Sequence, residues 1–216
     1  MKIFIYGGTG YLGSSLTSAF SHRYNFICTT RKKKIKKKDN IKILNEINDK
    51  KKIYNELKKS DLILIANGPS SKESQTSLFK YIEYLNDQIK IILKLKKKKT
   101  KVVYFSTIHV YANNNLNKAK TDDLLNAKSH YAIRNIVCEN LISNNFKGQN
   151  FNIIRMSNIY GIQNKSNKQN QNMFRLAVNQ FCLDIVKNKD IIINSNINEK
   201  RNFVSINDFV RFIEIS

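Results

Sequence analysis

Four of the seven glycines of this 216-residue chain fall within Gly7-Gly8-Thr9-Gly10-Tyr11-Leu12-Gly13, directly after the apolar run Ile3-Phe4-Ile5-Tyr6. A strand that feeds a glycine turn and then a helix start leaves backbone N–H groups open to a phosphate. Gly7, Gly10 and Gly13 supply the tight turn, the close backbone approach and the close helix–strand contact, and Gly8 completes a G-x-G-x-x-G. The whole stretch Gly7, Gly8, Thr9, Gly10, Tyr11, Leu12 and Gly13 is therefore expected to cradle the pyrophosphate of a dinucleotide, with a purely structural turn as the plainer alternative. A second strand, ending Phe26-Ile27-Cys28-Thr29-Thr30, should finish beside the adenosine ribose, where an acid would accept from the 2′-hydroxyl of NAD. It carries no acid. Thr30 and Arg31, with Lys32 and Lys33 behind them, suit the 2′-phosphate of NADP, so NADP is expected ahead of NAD.

The elements that must position these residues follow from period and punctuation. Strands are predicted at 2–6, 25–30, 41–44, 61–66, 101–106 and 150–155. Between them lie helices at 11–21, 50–59 (Ile53 and Leu57), 74–95 (Leu78, Ile82, Leu85, Ile89, Ile92 and Leu93) and 129–145, the last with Ile133, Ile136, Val137, Leu141 and Ile142 on its inner face. Alternating strand and helix implies an α/β fold, a Rossmann-type doubly wound parallel sheet with right-handed crossovers and its ligand at the carboxyl ends of the strands. Beyond 155 the pattern changes to a polar 163–172 segment read as a mobile loop, a helix near 173–187, a short strand at 190–193 and a last stretch at 203–214.

Composition bounds the function. No apolar run reaches the ~18 residues that a bilayer span needs, and the amino-terminal apolar stretch is too short for a signal peptide, so a cytoplasmic location is expected. Cys28, Cys138 and Cys182 are odd in number and widely spaced, which fits neither a disulfide framework nor a zinc site; all three are read as structural. The formal charge of +22 would ordinarily suggest nucleic acid. Here 31 lysines against 7 arginines, with 30 asparagines, is what an AT-rich coding sequence yields without selection for a partner. The runs at 31–38 and 96–99 carry no interleaved aromatics, so nucleic acid is not the expected partner.

Further chemistry lies at Ser106-Thr107-Ile108-His109-Val110-Tyr111 and, twenty residues on from Tyr111, at Tyr131-Ala132-Ile133-Arg134-Asn135. With the glycine motif, Glu139 eight residues after Tyr131, Arg155-x-x-Asn158-x-Tyr160-Gly161, and Arg201 to Asp208, these motifs resemble the extended short-chain dehydrogenase/reductase family, the NAD(P)-dependent sugar epimerases, dehydratases and reductases. The resemblance covers nearly the whole chain. It implies that Thr107 hydrogen-bonds the substrate oxygen, that Tyr131 is the acid/base, and that Ser106 lines the nicotinamide end. It places Ala66, Asn67 and Gly68 where the backbone passes the cofactor, and Asn158 and Arg201 against the diphosphate of a nucleotide-sugar substrate. Residues 1–160 would form the dinucleotide-binding domain and 161–216 a small substrate lobe, truncated because relatives continue past the Asp208-type motif. Pairing through long helices would allow a homodimer. His109 and His130 are read as structural, and Asp122 and Asp123 as solvated loop acids.

The departure is Asn135, where the family has a lysine that binds the nicotinamide ribose and eases ionisation of the tyrosine. At 100° per residue, Asn135 and Arg134 flank the Tyr131 face of a helix on either side, by about 40° and about 60°. Arg134 is thus a candidate replacement, although a guanidinium does not copy an ammonium. The expectation is an NAD(P)-dependent enzyme of nucleotide sugars, its rival an impaired dinucleotide-binding module with a regulatory role.

Overall fold

The structure is a computed structural model that describes residues 1–31, 40–68, 78–111, 119–127, 129–162, 176–193 and 201–215. β1 (Lys2–Tyr6) buries both of its faces, as a central parallel strand must. It lies between β2 (Asn25–Thr30) and β4 (Leu62–Ile65), pairing Ile3 with Phe26 on one side and with Leu62 on the other. β3 (Ile41–Asn45), β5 (Lys101–Thr107) and β6 (Phe151–Met156) complete a six-stranded sheet of order β3-β2-β1-β4-β5-β6. All five pairings are parallel. The edge strand β3 shows half-burial, whereas β1, β4 and β5 are near-continuous apolar runs.

Strand period sorts the core into two layers. Phe4, Tyr6, Ile27, Ile63, Ile65, Val102 and Tyr104 face α2 (Lys50–Leu57), α3 (Leu78–Leu95) and α4 (His130–Asn145). Ile3, Ile5, Phe26, Cys28, Leu64, Val103 and Phe105 face α1 (Tyr11–Phe20) and α6 (Ile206–Ile215). Against the first of these layers α3 sets Tyr81, Leu85, Ile89 and Ile92; of the predicted stripe Leu85, Ile89 and Ile92 are buried, and Ile82 and Leu93 are half-buried. Residues 74–77 of that predicted helix, and the segments at 32–39 and 163–175, lie outside the described residues. α6 begins at a Ser205 N-cap: the Asp208 N–H donates to Ser205 Oγ (3.0 Å), and the Ser205 hydroxyl donates to Asp208 Oδ2 (2.7 Å).

Two sequence expectations are corrected. The inner face of α4 is Ala132, Arg134, Asn135, Cys138, Glu139 and Ile142, with Ile133 39% exposed. The helix is turned by one position because its first turns run past the carboxyl ends of the strands, where polar groups converge instead of core. No strand forms at 190–193. Ile191, Ile192 and Ile193 are exposed, and the chain leaves α5 (Ala177–Val186) through a left-handed Asn188 with φ 51°. A β-branched run needs a partner strand, and none of the described strands pairs with 190–193. Among the described residues no helix is long and apolar enough to cross a membrane.

Burial pushes the Cys28 thiol up to about 12 and the Cys138 thiol up to about 11, where Tyr104 and Arg134 pull the other way. Cys182 is exposed. Thiolate is the reacting form, so the native protein is expected to release one equivalent of a chromogenic thiol reagent quickly at pH 8, and two more only on denaturation. Rapid labelling of three thiols in the native state contradicts this packing.

Candidate functional site

The order of the strands reverses between β1 and β4, and the loops leaving those two strands meet. Gly7 adopts φ 78°, and a Cβ there would stand 2.9 Å from the Asn67 backbone. A Cβ on Gly8 would stand 2.4 Å from the Cys28 side chain, and one on Gly13 2.6 Å from the Gly7 carbonyl oxygen. The Gly10 N–H closes the turn onto Gly7 O (2.9 Å), and Gly10 itself is the N-cap of α1, with no side chain over the helix start. The first N–H groups of a helix lack intrahelical acceptors. The residues present therefore fit a pyrophosphate: a side-chain-free cradle, a bare helix amino end, and the Thr9 hydroxyl at its rim, 3.0 Å from Thr30 Oγ1. Leu12 packs into the core beneath, while the Tyr11 hydroxyl donates to Gly161 O (2.7 Å) and ties the cradle to the later part of the chain. Burial pushes the Tyr11 phenol up, against a hydrogen bond from Asn179 that lowers it.

Below the cradle runs a polar network that the sequence did not disclose. The Gly7 N–H donates to Thr29 Oγ1 (3.3 Å), the Thr29 hydroxyl donates to Glu46, and the Tyr84 hydroxyl donates to the other Glu46 oxygen. Asn67 Nδ2 reaches Tyr84 Oη and Gln88 Oε1, both at 3.2 Å, while its buried Oδ1 meets no donor among the described residues. Burial and the Glu46 charge push the Tyr84 phenol up, so it remains a donor. Glu46 is the acid that the end of β2 lacks: in a β3-β2-β1 order, the residue after β3 lies beside the end of β2, and the Glu46 N–H bonds Thr30 O (3.0 Å). The signals were available as that strand order and as Tyr81, Tyr84 and Gln88 interrupting an apolar stripe. Arg31 is exposed at the end of β2. Ala66 extends the β1–β4 ladder by donating to Tyr6 O (3.0 Å), and Gly68 lies beside Tyr81 and Arg134.

At the end of β5, Thr107 caps the 3₁₀ turn Ile108–Val110, its Oγ1 accepting from the His109 N–H (3.3 Å). The His109 ring meets the Tyr131 ring edge-on at 6.3 Å between centroids. Ser129 caps α4 by accepting from the Ala132 N–H (3.2 Å), which sets Tyr131 in the first turn. Asn135 is buried with both ends of its amide engaged: Oδ1 accepts from the Tyr104 hydroxyl (3.0 Å) and Nδ2 donates to Tyr131 O (2.8 Å). Arg134, 3% exposed, places its guanidinium carbon 4.7 Å from the Tyr131 ring centroid and 4.8 Å from that of Tyr81.

One helical turn further on, Glu139 receives the Ser106 hydroxyl and an ion pair from Arg155 (2.8 Å). Arg155 also donates to Tyr111 Oη (2.8 Å) and to Thr121 O (2.9 Å), holding the loop that follows β5. Burial pulls the Arg155 guanidinium down, but the Glu139 and Tyr111 bonds outweigh it and hold it above its ordinary value. Ser106 thus serves Glu139, and Glu139 with Arg155 forms a strut. Asp123 accepts from the Lys120 N–H (2.8 Å) at the surface, and His130 is exposed at the helix start. A separate pair, β7 (Asn158–Tyr160) and β8 (Phe203–Ser205), runs parallel; Asn158 donates to Asn202 O through both its N–H and its Nδ2, which brings Arg201 alongside.

A parallel 3-2-1-4-5-6 sheet with a glycine cradle at its reversal point defines a Rossmann-type protein. Residues 3–215 match the model of the NAD dependent epimerase/dehydratase family, and the chain belongs to that family. Its fold superposes on the UDP-N-acetylglucosamine 4-epimerase of Methanobrevibacter ruminantium M1 in complex with UDP-N-acetylmuramic acid, with TM-score 0.81 and 18% identity over 97% of this chain and 70% of that one. It does so equally on the UDP-glucuronic acid 4-epimerase of Bacillus cereus in complex with UDP-glucuronic acid and NAD, with TM-score 0.81 and 18% identity over 99% and 72%. An NAD-dependent NDP-hexosamine 5,6-dehydratase involved in tunicamycin biosynthesis matches with TM-score 0.78 and 20% identity over 99% and 70%. No curated protein matches the chain.

The Gly8 contact is directly testable. Gly8→Ala forces a methyl into Cys28 and is expected to lower the unfolding free energy by about 1–3 kcal/mol in urea denaturation; an unchanged midpoint would mean that the loop and β2 are not packed in this way.

Proposed function

We propose that the chain binds a nicotinamide dinucleotide at Gly7–Gly13 and oxidises or reduces the hydroxyl/keto carbon of a nucleotide-linked sugar, with Thr107 positioning the substrate oxygen and Tyr131 exchanging its proton. The observation that carries this reading is convergence: the glycine loop against Asn67, Gly68 against Arg134, Arg134 on Tyr131, and Tyr131 against the turn capped by Thr107. When bound, the dinucleotide supplies the hydride chemistry. The chain's own part is to present an open backbone to the diphosphate, to hold a phenol at the reacting oxygen, and to keep a cation beside that phenol. Ala66, Asn67 and Gly68 carry the backbone past the cofactor, and Ser106 backs the nicotinamide end through Glu139. Asn158 and Arg201, joined by the β7–β8 pair, would take the diphosphate of the nucleotide sugar. Residues 1–160 then form the dinucleotide-binding domain, which also carries Thr107, Tyr131 and Asn158, and 161–216 the partial substrate lobe.

For the choice of dinucleotide, Thr30 and Arg31 favour the 2′-phosphate of NADP, while Glu46, reaching Thr29 from β3, opposes a second negative charge there and favours a 2′-hydroxyl. We place NAD ahead of NADP on that ground, in keeping with the NAD bound in the Bacillus cereus enzyme. A second reading rests on Asn135. Its amide is spent on Tyr104 and Tyr131 O, so the position that is lysine in the family contributes no charge, and a dinucleotide-binding module of reduced activity results.

Thermal melting with each cofactor and turnover of a UDP-sugar panel separate these readings. NAD is expected to raise Tm more than NADP, and Tyr131→Phe to abolish turnover while leaving the cofactor-induced shift intact. Binding without turnover in the parent, and a large gain in Asn135→Lys, would establish the module instead. No shift with either dinucleotide refutes both.

A further inference from the structure

Resting on that reading of the site, we infer that Tyr81 is a positioning residue that clamps the Arg134 guanidinium onto Tyr131, so that the cation of this site comes from helix position 134 and is held by α3 as well as by its own helix. The guanidinium carbon lies over two aromatic rings, 4.8 Å from the centroid of Tyr81 and 4.7 Å from that of Tyr131. Tyr81 is itself buried, and its hydroxyl donates to the carbonyl of Asn67, in the loop that Gly7 packs against. Burial pushes the Tyr81 phenol up, so that hydroxyl stays a donor.

Physical chemistry explains why a clamp is needed. A cation 3% exposed has lost most of its hydration, and the two π faces offset part of that loss. Arginine tolerates such stacking better than lysine, because its charge is planar, delocalised and weakly hydrated. A ring on its own helix and a second ring on α3 together restrict the direction of the long side chain. The same side chain lies beside Gly68, where its Nη2 would stand 3.7 Å from a Cβ, so the charge sits between the end of β4 and the phenol. Negative charge developing on the Tyr131 oxygen, or carried by a ligand passing Gly68, then meets a cation already oriented. Asn135 is excluded from this task by its bonds to Tyr104 and to Tyr131 O.

Two readouts test the clamp, the first without cofactor or substrate. In the unliganded protein the Arg134 Nε–Hε resonance is expected well upfield of ordinary arginine values, from ring currents on both faces. Tyr81→Phe should keep that shift and Tyr81→Leu should lose a large part of it. In the second readout, NAD affinity by calorimetry should fall roughly tenfold or more in Arg134→Gln, the scale of losing a contact to a charged group. Tyr81→Leu should produce a similar loss, with no further loss when the two are combined, and Tyr81→Phe should bind like the parent. Asn135→Lys, which puts a second cation on the same face, should restore binding to Tyr81→Leu without restoring its Tm. An Arg134 resonance at its ordinary position, or Tyr81→Phe as damaging as Tyr81→Leu, overturns the clamp. A normal clamp signature with unchanged affinity in Arg134→Gln overturns its role toward the cofactor. A parent that takes up no dinucleotide overturns the functional reading and the role assigned to Arg134, and the resonance alone then decides whether Tyr81 positions it.

Discussion

The carboxyl edge of the sheet depends on one backbone contact that no side chain can share. Gly7 turns in the left-handed region at the end of β1 and comes so close to Asn67, at the end of β4, that a single added carbon would collide with its backbone. That contact occurs where strand order reverses, the place where an open parallel sheet has a crevice. Keeping side chains out of the first turn leaves the N–H groups of α1 pointing outward, and the partial positive charge of the helix start with them. The same compactness brings Asn67 under the hydroxyl of Tyr81, so the glycine loop, the loop after β4 and the inner face of α3 behave as one packed unit.

How much of this was legible in the sequence follows from what each signal reports. Strand positions and the doubly wound arrangement could be read because short apolar runs mark strands buried on both faces and a 3.6-residue period marks the inner faces of helices, and burial there is the same across each whole element. α4 broke the rule. Its apolar residues Ile133, Ile136 and Val137 suggested one face, but its first turns lie beyond the strands, where the sheet presents Tyr104 and Glu139 meets Ser106. Polar partners across a gap leave no periodic trace in either segment. The isoleucines at 191–193 failed for the converse reason, since strand propensity without a neighbouring edge forms no ladder. For the site, glycine spacing and the Thr107 and Tyr131 positions were visible as local motifs. Glu46, Tyr81 and Tyr84 were not, because their roles arise only when β3, α3 and the glycine loop are brought together by topology.

Charge on this protein divides into two kinds. Among the described residues most lysines are exposed, and solvent screens them. The charges that bear on the site are few and buried or half-buried: Glu46 beneath the cradle, Glu139 with Arg155 behind Ser106, and Arg134 beside Tyr131. Each is satisfied in a different way, by two hydroxyl donors, by an ion pair with added hydrogen bonds, and by aromatic faces. A formal charge of +22 therefore says little about the chemistry, whereas four side chains in low-dielectric surroundings define its field.

Asn135 and Arg134 are best understood together. Tyr104 is fully buried in the layer beneath α4, and its hydroxyl, held well above its ordinary range by burial, needs an acceptor. Leaving such a donor unmade costs about 1–3 kcal/mol. Lysine has no acceptor atom to offer, whereas the asparagine amide accepts from Tyr104 and returns its own N–H to Tyr131 O, tying the tyrosine's backbone to the sheet. A charge removed from 135 can return only from a neighbouring position that shares the Tyr131 face, and on a 3.6-residue helix 134 is such a position. There Tyr81 already presents a ring. The two tyrosines of the sheet-facing layer thus take consecutive helix residues, Tyr104 claiming the neutral one and Tyr81 the cation. The departure at 135 and the arginine at 134 are in this sense one rearrangement of a single polar cluster.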